Sequence, residues 1–171
     1  MYIIKIMLCL GILEISTYLG MVFSKKLDNR VKEYTELQNI LIYIKTSIEY
    51  LGLDIIQIFE ELYGKYKNMN FGILFKNILD EIRMNNISLK EGIEKSVDKY
   101  AFMFSANLDI LKELGNNLGK SDTITQINNL CLYEERLKEK IAEATENKKK
   151  KEKMYKSLGI ICGIMLVIVL I

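Results

Sequence analysis

Apolar positions recur along most of this chain at steps of three and four, the spacing that paints one face of an α-helix. From Leu27 they return at Val31, Tyr34, Leu37, Leu41, Ile44, Ile48 and Leu51, which predicts a helix over that stretch. A second helix is expected from Asp54, whose carboxylate can cap it together with Gln57 three residues on; its buried face would be Ile55, Phe59, Leu62 and Tyr66. Gly64 and the polar Lys67-Asn68 mark its end. A third opens near Asn70, shows Phe71, Leu74, Phe75, Ile78 and Ile82, and gives out at Asn85-Asn86. Ser88-x-x-Glu91 has the form of a capping box and starts a fourth, with Leu89, Ile93, Val97 and Tyr100 turned inward. Phe104, Leu108, Leu111, Leu114 and Leu118 outline a fifth, stopped by Gly119, which suits a left-handed cap.

The last helix begins at Ser121 or Asp122, with Ile124, Ile127, Leu130, Leu137 and Ile141 as its stripe, and turns polar from Thr145 to Lys153. No Gly or Pro interrupts it before Gly159, so about 50 residues in one helix would run roughly 75 Å. Alternating runs and Asn-Gly or Asp-Gly turns are missing, which leaves no strand signal. The fold class predicted is all-α: a multi-helix bundle with a long last helix.

Both ends depart from the amphipathic pattern. Tyr2 to Phe23 is apolar apart from Lys5 and Glu14 and the hydroxyl residues Ser16 and Thr17, and Lys25, Lys26 and Arg30 follow it. Leu158 to Ile171 is apolar throughout and is preceded by Lys148, Lys149, Lys150, Lys151, Lys153 and Lys156. A membrane span takes about 20 apolar residues, and flanking Lys and Arg stay cytoplasmic. The reading is therefore four segments: a transmembrane helix at 1–23, a cytoplasmic bundle at 24–144, a basic stalk at 145–157 and a second transmembrane helix at 158–171. The second stretch covers only about 21 Å of a hydrocarbon core of about 30 Å, but Met154 and Tyr155 lengthen it and Lys156 can snorkel. An amphipathic helix buried in protein is the alternative, and the run has no polar face to fit it. The front segment lacks a small-x-small cleavage site, and its lysines follow the apolar stretch, which disfavours a cleaved signal peptide.

Glu14 stands near the middle of the first stretch, where an ionised carboxylate costs a few kcal/mol on insertion scales. It is either a tolerated, protonated or snorkelled side chain, or one that faces the second span or another membrane subunit. Gly11 and Gly20 in the first stretch and Gly159 and Gly163 in the second (the latter at small-xxx-small spacing) could allow close helix contacts, a weak signal in any such helix.

Charge changes the picture locally. Net charge is +2, yet residues 24–135 hold 14 basic and 17 acidic side chains while 136–157 hold 9 and 4. The lysine run serves as a topological anchor or as a site for acidic lipid or an acidic partner. No nucleic-acid signature accompanies it. The chain has no His, Trp or Pro, and its three cysteines imply no disulfide framework. Without His, a phosphate-binding glycine loop, Cys-x-x-Cys or an activated nucleophile, the sequence offers no catalytic residues, no metal ligands and no cofactor site. The adjacent acids Glu60-Glu61, Asp80-Glu81 and Glu134-Glu135 read as solvated helix faces, since neighbours point about 100° apart.

Leu111-Lys112-Glu113-Leu114-Gly115-Asn116-Asn117-Leu118-Gly119, followed by Asp122 and Gln126, resembles the leucine-, glycine- and aspartate-bearing stretch of the stage III sporulation protein AB family. Glu152-Lys153-Met154-Tyr155-Lys156-Ser157-Leu158-Gly159 and its apolar tail resemble that family's ending more closely still. Gly20, Arg30, Leu37-Gln38 and Ile48-Glu49-Tyr50 fit its front half. Leu51-Gly52-Leu53 stands where members often have Thr-Pro-Leu, and Val31 where they have Pro.

The resemblance implies a non-enzymatic subunit of the membrane complex that links mother cell and forespore, on the mother-cell side. It further implies similarity to the cytoplasmic domain of the platform proteins of type II secretion and type IV pilus systems, and docking of a cytoplasmic secretion-type ATPase (stage III sporulation protein AA). Platform proteins carry Gly-Glu-x-x-Gly after the equivalent helix; Gly115 and Gly119 keep the glycines, but Asn116 replaces the glutamate, so no ligand role follows. Membrane lipid and other subunits of the complex are the remaining expected partners, with self-association open. A membrane-anchored scaffold on anionic lipid is the competing function. A channel or transporter subunit is a third, and two spans with one acid make little pore unless many copies assemble.

Overall fold

The computed structural model describes residues 2–119 and 122–170, with side chains described from Met7 onward except at several positions among 8–13 and 156–170. Six α-helices follow one another: α1 Tyr2–Thr46, α2 Ile55–Tyr66, α3 Asn70–Asn85, α4 Leu89–Tyr100, α5 Asp109–Asn117 and α6 Thr123–Leu170. A π-helical turn, Ser47–Leu51, closes α1, and a single 3-10 turn, Ala101–Met103, follows α4. No strand occurs among the described residues, and the all-α expectation holds.

Helix boundaries follow local chemistry. Asp54 caps α2 as expected, accepting from the Ile56 N–H at 3.4 Å while the Gln57 side chain accepts from the Asp54 N–H at 3.2 Å. Ser88 Oγ accepts from the Glu91 N–H at 3.3 Å, the hydroxyl half of its box. Three left-handed residues end segments: Gly52 (φ 59°) after the π turn, Asn86 (φ 50°) after α3 and Gly119 (φ 74°) after α5.

The chain divides into two compact units, Lys32–Ile141 and the pair Met1–Val31 with Ala142–Ile171. In the first, every helix contributes to one core. Tyr34, Leu37, Ile40, Leu41 and Ile44 enter from α1, Ile58, Phe59 and Leu62 from α2, and Phe71, Leu74, Phe75 and Ile78 from α3. Ile93 and Val97 join from α4, Ile110, Leu111 and Leu114 from α5, and Leu130, Tyr133 and Leu137 from α6. Phe59 meets Phe75 edge-to-face at 5.5 Å, and Phe71 lies 4.9 Å from Phe104.

Gly72 explains how α3 can turn so tightly after α2: a Cβ there would lie 2.1 Å from the Tyr66 carbonyl oxygen. Across α3 and α4 the Ser96 hydroxyl donates to Asn77 Oδ1 at 3.1 Å, so the one fully buried polar side chain of α4 is satisfied.

Several expectations need correcting. Leu51 and Ile124, assigned to buried stripes, are 63% and 71% exposed, because each sits in the outermost turn of its stripe. Phe104 lies in extended backbone ahead of α5, not within it. The expected flanking transmembrane helices are not supported: among the described residues no helix is long and apolar enough to cross a membrane. Much of both stretches, 1–23 and 158–171, consists of side chains outside the described set.

Candidate membrane-facing helix pair and its basic collar

The unit formed by the start of α1 and the end of α6 concentrates the residues singled out from the sequence. Here many of the described apolar side chains are exposed. Met7, Ile15, Tyr18, Leu19, Met21, Val22 and Phe23 on α1 are exposed, as are Met154, Leu158, Ile160, Ile161, Ile164, Met165 and Ile168 on α6. Contiguous apolar surface on this scale marks a partner or a membrane, since soluble surfaces keep such patches small.

Ser16, Leu19, Gly20 and Phe23 form one stripe of α1 that faces Tyr155, Leu158 and Cys162 across a groove of about 300 Å³. Phe23 and Tyr155 rings meet at 5.8 Å there. Gly20 is buried at this contact, which gives the first-span glycine its packing reason. Glu14 is exposed, and it precedes Ser16 by two residues, about 200° around the helix. Glu14 is not among the residues that line the groove.

The basic residues separate into classes that sequence could not distinguish. Lys148 reaches Asp28 Oδ1 at 2.6 Å, and the pairing raises the lysine's pKa. Lys150 pairs with Glu146 one turn earlier at 2.5 Å. Lys149, Lys151 and Lys153 are exposed, as are Lys25, Lys26 and Arg30. Two of the six collar lysines are thus committed within the protein, and the Lys156 side chain, like Gly159, lies outside the described residues.

The motif residues of the other unit have structural duties. Gly115 is buried, and a Cβ on it would come within 3.0 Å of Ile93 Cδ1, so it sets the α4–α5 approach. Gly119 supplies the positive φ of the turn after α5, whose backbone leaves the helix at the extended Leu118. Asp122 opens α6, accepting from the Thr125 hydroxyl at 2.7 Å and from the Thr125 N–H at 3.3 Å, and those two bonds hold its carboxyl below the usual range.

One half-buried polar clasp went unread in the sequence. Glu33 Oε2 accepts from the N–H groups of Ser105 and Ala106 at 2.6 and 2.8 Å, and Tyr34 Oη accepts from the Asn107 N–H at 3.2 Å. Together they pin the segment ahead of α5 to α1. Burial pushes the Glu33 carboxyl above its ordinary value, against the two N–H donors that pull it down. Only its place one residue from the Tyr34 stripe hinted at a role.

The sequence pattern of the stage III sporulation protein AB family matches residues 5–171. The chain belongs to that family. It is 26% identical over 170 residues to stage III sporulation protein AB of Bacillus subtilis (strain 168), covering 98% of this chain and 99% of that protein. A solved structure of stage III sporulation protein AB superposes with a TM-score of 0.63 at 21% identity, covering 71% of this chain and 97% of that one. The family assignment expected from Leu111–Gly119 and the Glu152–Gly159 ending stands, and the structural match shows a shared helical fold.

Proposed function

We propose that this protein is a non-enzymatic platform of a sporulation complex connecting mother cell and forespore, held in the membrane by the front of α1 and the end of α6, and docking a cytoplasmic secretion-type ATPase (stage III sporulation protein AA). Family membership supports the sporulation role. The observation that carries the membrane part is the exposed apolar surface of the helix pair, bordered by Lys25, Lys26, Arg30 and the 148–153 run. Apolar side chains left on the outside of a helix pair are unfavourable in water and favourable against acyl chains or apolar partner helices. In this arrangement the exposed Glu14 meets another membrane subunit.

A test uses the full chain in nanodiscs of neutral lipid, with the ATPase of the same complex added in solution at low and moderate salt. Micromolar or tighter binding that survives moderate salt is expected. Carbonate-resistant retention in cell membranes is the accompanying check on insertion; release of the intact chain at alkaline pH would remove the membrane reading. A scaffold role on anionic lipid is the second reading, favoured by exposed Lys149, Lys151 and Lys153. It predicts vesicle binding that falls steeply with salt and no ATPase binding.

A further inference from the structure

The groove between the start of α1 and the end of α6 is narrow, and its width limits what can fill it. Its α1 side runs from Ser16 to Phe23, about 10 Å of helix. Spread over that length, its volume of about 300 Å³ leaves a cross-section of about 30 Å². An α-helix is about 10 Å across with its side chains, more than twice that section. A further helix is too wide to lie in the groove, whereas a hydrocarbon chain is narrow enough. Leu19, Phe23, Tyr155 and Leu158 make its walls apolar, and buried Gly20 puts no side chain into it. A length of about 10 Å also fits within one leaflet, half of a hydrocarbon core of about 30 Å.

One end of the groove is basic. The Phe23 and Tyr155 rings meet at 5.8 Å, and farther along the same two helices Lys148 is bonded to Asp28 at 2.6 Å. Between these two ties stand Lys26, three residues after Phe23, and Lys151, four before Tyr155. Residues three and four apart are neighbours on a helix surface, so each lysine sits one turn beyond its aromatic. Both lysines are exposed. The acids nearby, Asp28 and Glu152, both act on Lys148. The apolar slot therefore runs toward two cations at this end, while its other end, at Ser16 and Cys162, lies deeper in the apolar stretches. A phospholipid of net negative charge has the complementary distribution: a hydrocarbon chain joined to an anionic headgroup.

We propose that this groove seats one acyl chain of an anionic phospholipid, with Lys26 and Lys151 on its headgroup phosphate. This rests on the membrane part of the function proposed above and goes beyond it. The lipid is held at one place against both helices, which differs from the general attraction of a lysine run to a charged surface.

The test introduces a single tryptophan, a residue the chain lacks, at one of two positions on α1. Phe23→Trp puts it in the groove; Met21→Trp puts it at an exposed position that does not line the groove, about 3 Å away along the helix. Full-length protein in phosphatidylcholine nanodiscs receives the same small fraction of phosphatidylglycerol or of phosphatidylcholine, brominated in the upper half of the acyl chains. Brominated phosphatidylglycerol should quench Phe23→Trp about twofold more than brominated phosphatidylcholine does, and the two should quench Met21→Trp equally. Adding Lys26→Gln/Lys151→Gln to Phe23→Trp should bring the two lipids to parity, and because both lysines are exposed these changes spare the helix contact. Equal quenching of both positions by both lipids would overturn the site and leave the membrane reading intact. Quenching of Met21→Trp alone would mean that protein covers the groove, and would overturn the lipid. A preference that survives the loss of both lysines would overturn the headgroup contact. No quenching at either position would overturn the membrane reading and the site together.

Discussion

The two units of this chain use the same aliphatic vocabulary to opposite ends. In Lys32–Ile141, Leu, Ile and Phe are turned inward, and side chains such as Leu37, Ile44, Phe59 and Leu130 are shut off from solvent. In the pair formed by the start of α1 and the end of α6, Ile15, Leu19, Ile161 and Ile168 stay uncovered. Local helix propensity does not separate them, for both units are helical. What separates them is the polar share: the bundle alternates apolar stripes with charged faces, whereas the pair has apolar residues on nearly all sides. A sequence can therefore specify helix everywhere while specifying two different surroundings for it.

The sharpest way to break this contrast is to put charge on the apolar pair. Ile161→Asp with Ile164→Asp should cost about 3 kcal/mol per aspartate if these residues sit in hydrocarbon. Membrane retention measured by flotation should collapse, while the thermal transition of the bundle stays put. Retention equal to wild type would mean that lipid does not cover this surface.

The next effect is confined to the bundle. Gly72→Ala must accommodate a methyl group where the Tyr66 carbonyl already is, and should lower stability by about 3 kcal/mol in a denaturant titration. Gly11→Ala, whose Cβ meets nothing within 4 Å, should leave the bundle's stability unchanged.

A smaller effect is expected at the Glu33 clasp. Glu33→Ala strands two backbone N–H groups and should cost about 1–3 kcal/mol. The pH dependence has a definite sign. A carboxyl whose pKa is raised in the folded chain binds its proton more tightly there than when unfolded. Its contribution to stability is thus largest in acid. It declines as pH rises from the ordinary carboxylate range through the raised value. Glu33→Gln keeps one oxygen for both N–H groups and carries no charge, so thermal melts should show a flatter profile from mild acid to neutrality than wild type.

The smallest change belongs to the partly exposed Arg136–Glu113 pair. Arg136→Met should cost less than about 1 kcal/mol. Because the Arg136 hydrogen bond lowers the Glu113 carboxyl, that contribution is present above the unfolded pKa and fades as pH falls through the lowered value. A loss that is the same at acid and neutral pH would mean that Arg136 acts through packing alone.

Features carried by neighbours in sequence were legible before any fold was known. The Asp54–Gln57 box, the α3 start at Asn70 and the stop at Gly119 each depend on residues within four positions of one another. The family resemblance was legible for the same reason, since it rested on ordered local motifs. What was missed depends on tertiary approach. Gly72 looks like any helical glycine until the Tyr66 carbonyl is known to lie over it, and Glu33 like any solvated acid until residues 105 and 106 arrive. Periodicity also overreached at stripe ends, where Leu51 and Ile124 keep the spacing but have no neighbour to cover them. The lysine run illustrates the limit from the other side: along the chain its six cations look equivalent, and only geometry tells Lys148 on Asp28 and Lys150 on Glu146 from Lys149, Lys151 and Lys153.

The π-helical turn Ser47–Leu51 has an evolutionary corollary. A π turn spends one residue more than an α turn to cover a similar path, so it behaves as an absorbed insertion. Relatives one residue shorter would close the same path with an ordinary turn, and Leu37, Ile40, Leu41 and Ile44 would keep their register in the core. Single-residue gaps among these proteins should therefore cluster between positions 46 and 52, where Gly52 already resets the chain's direction with its positive φ.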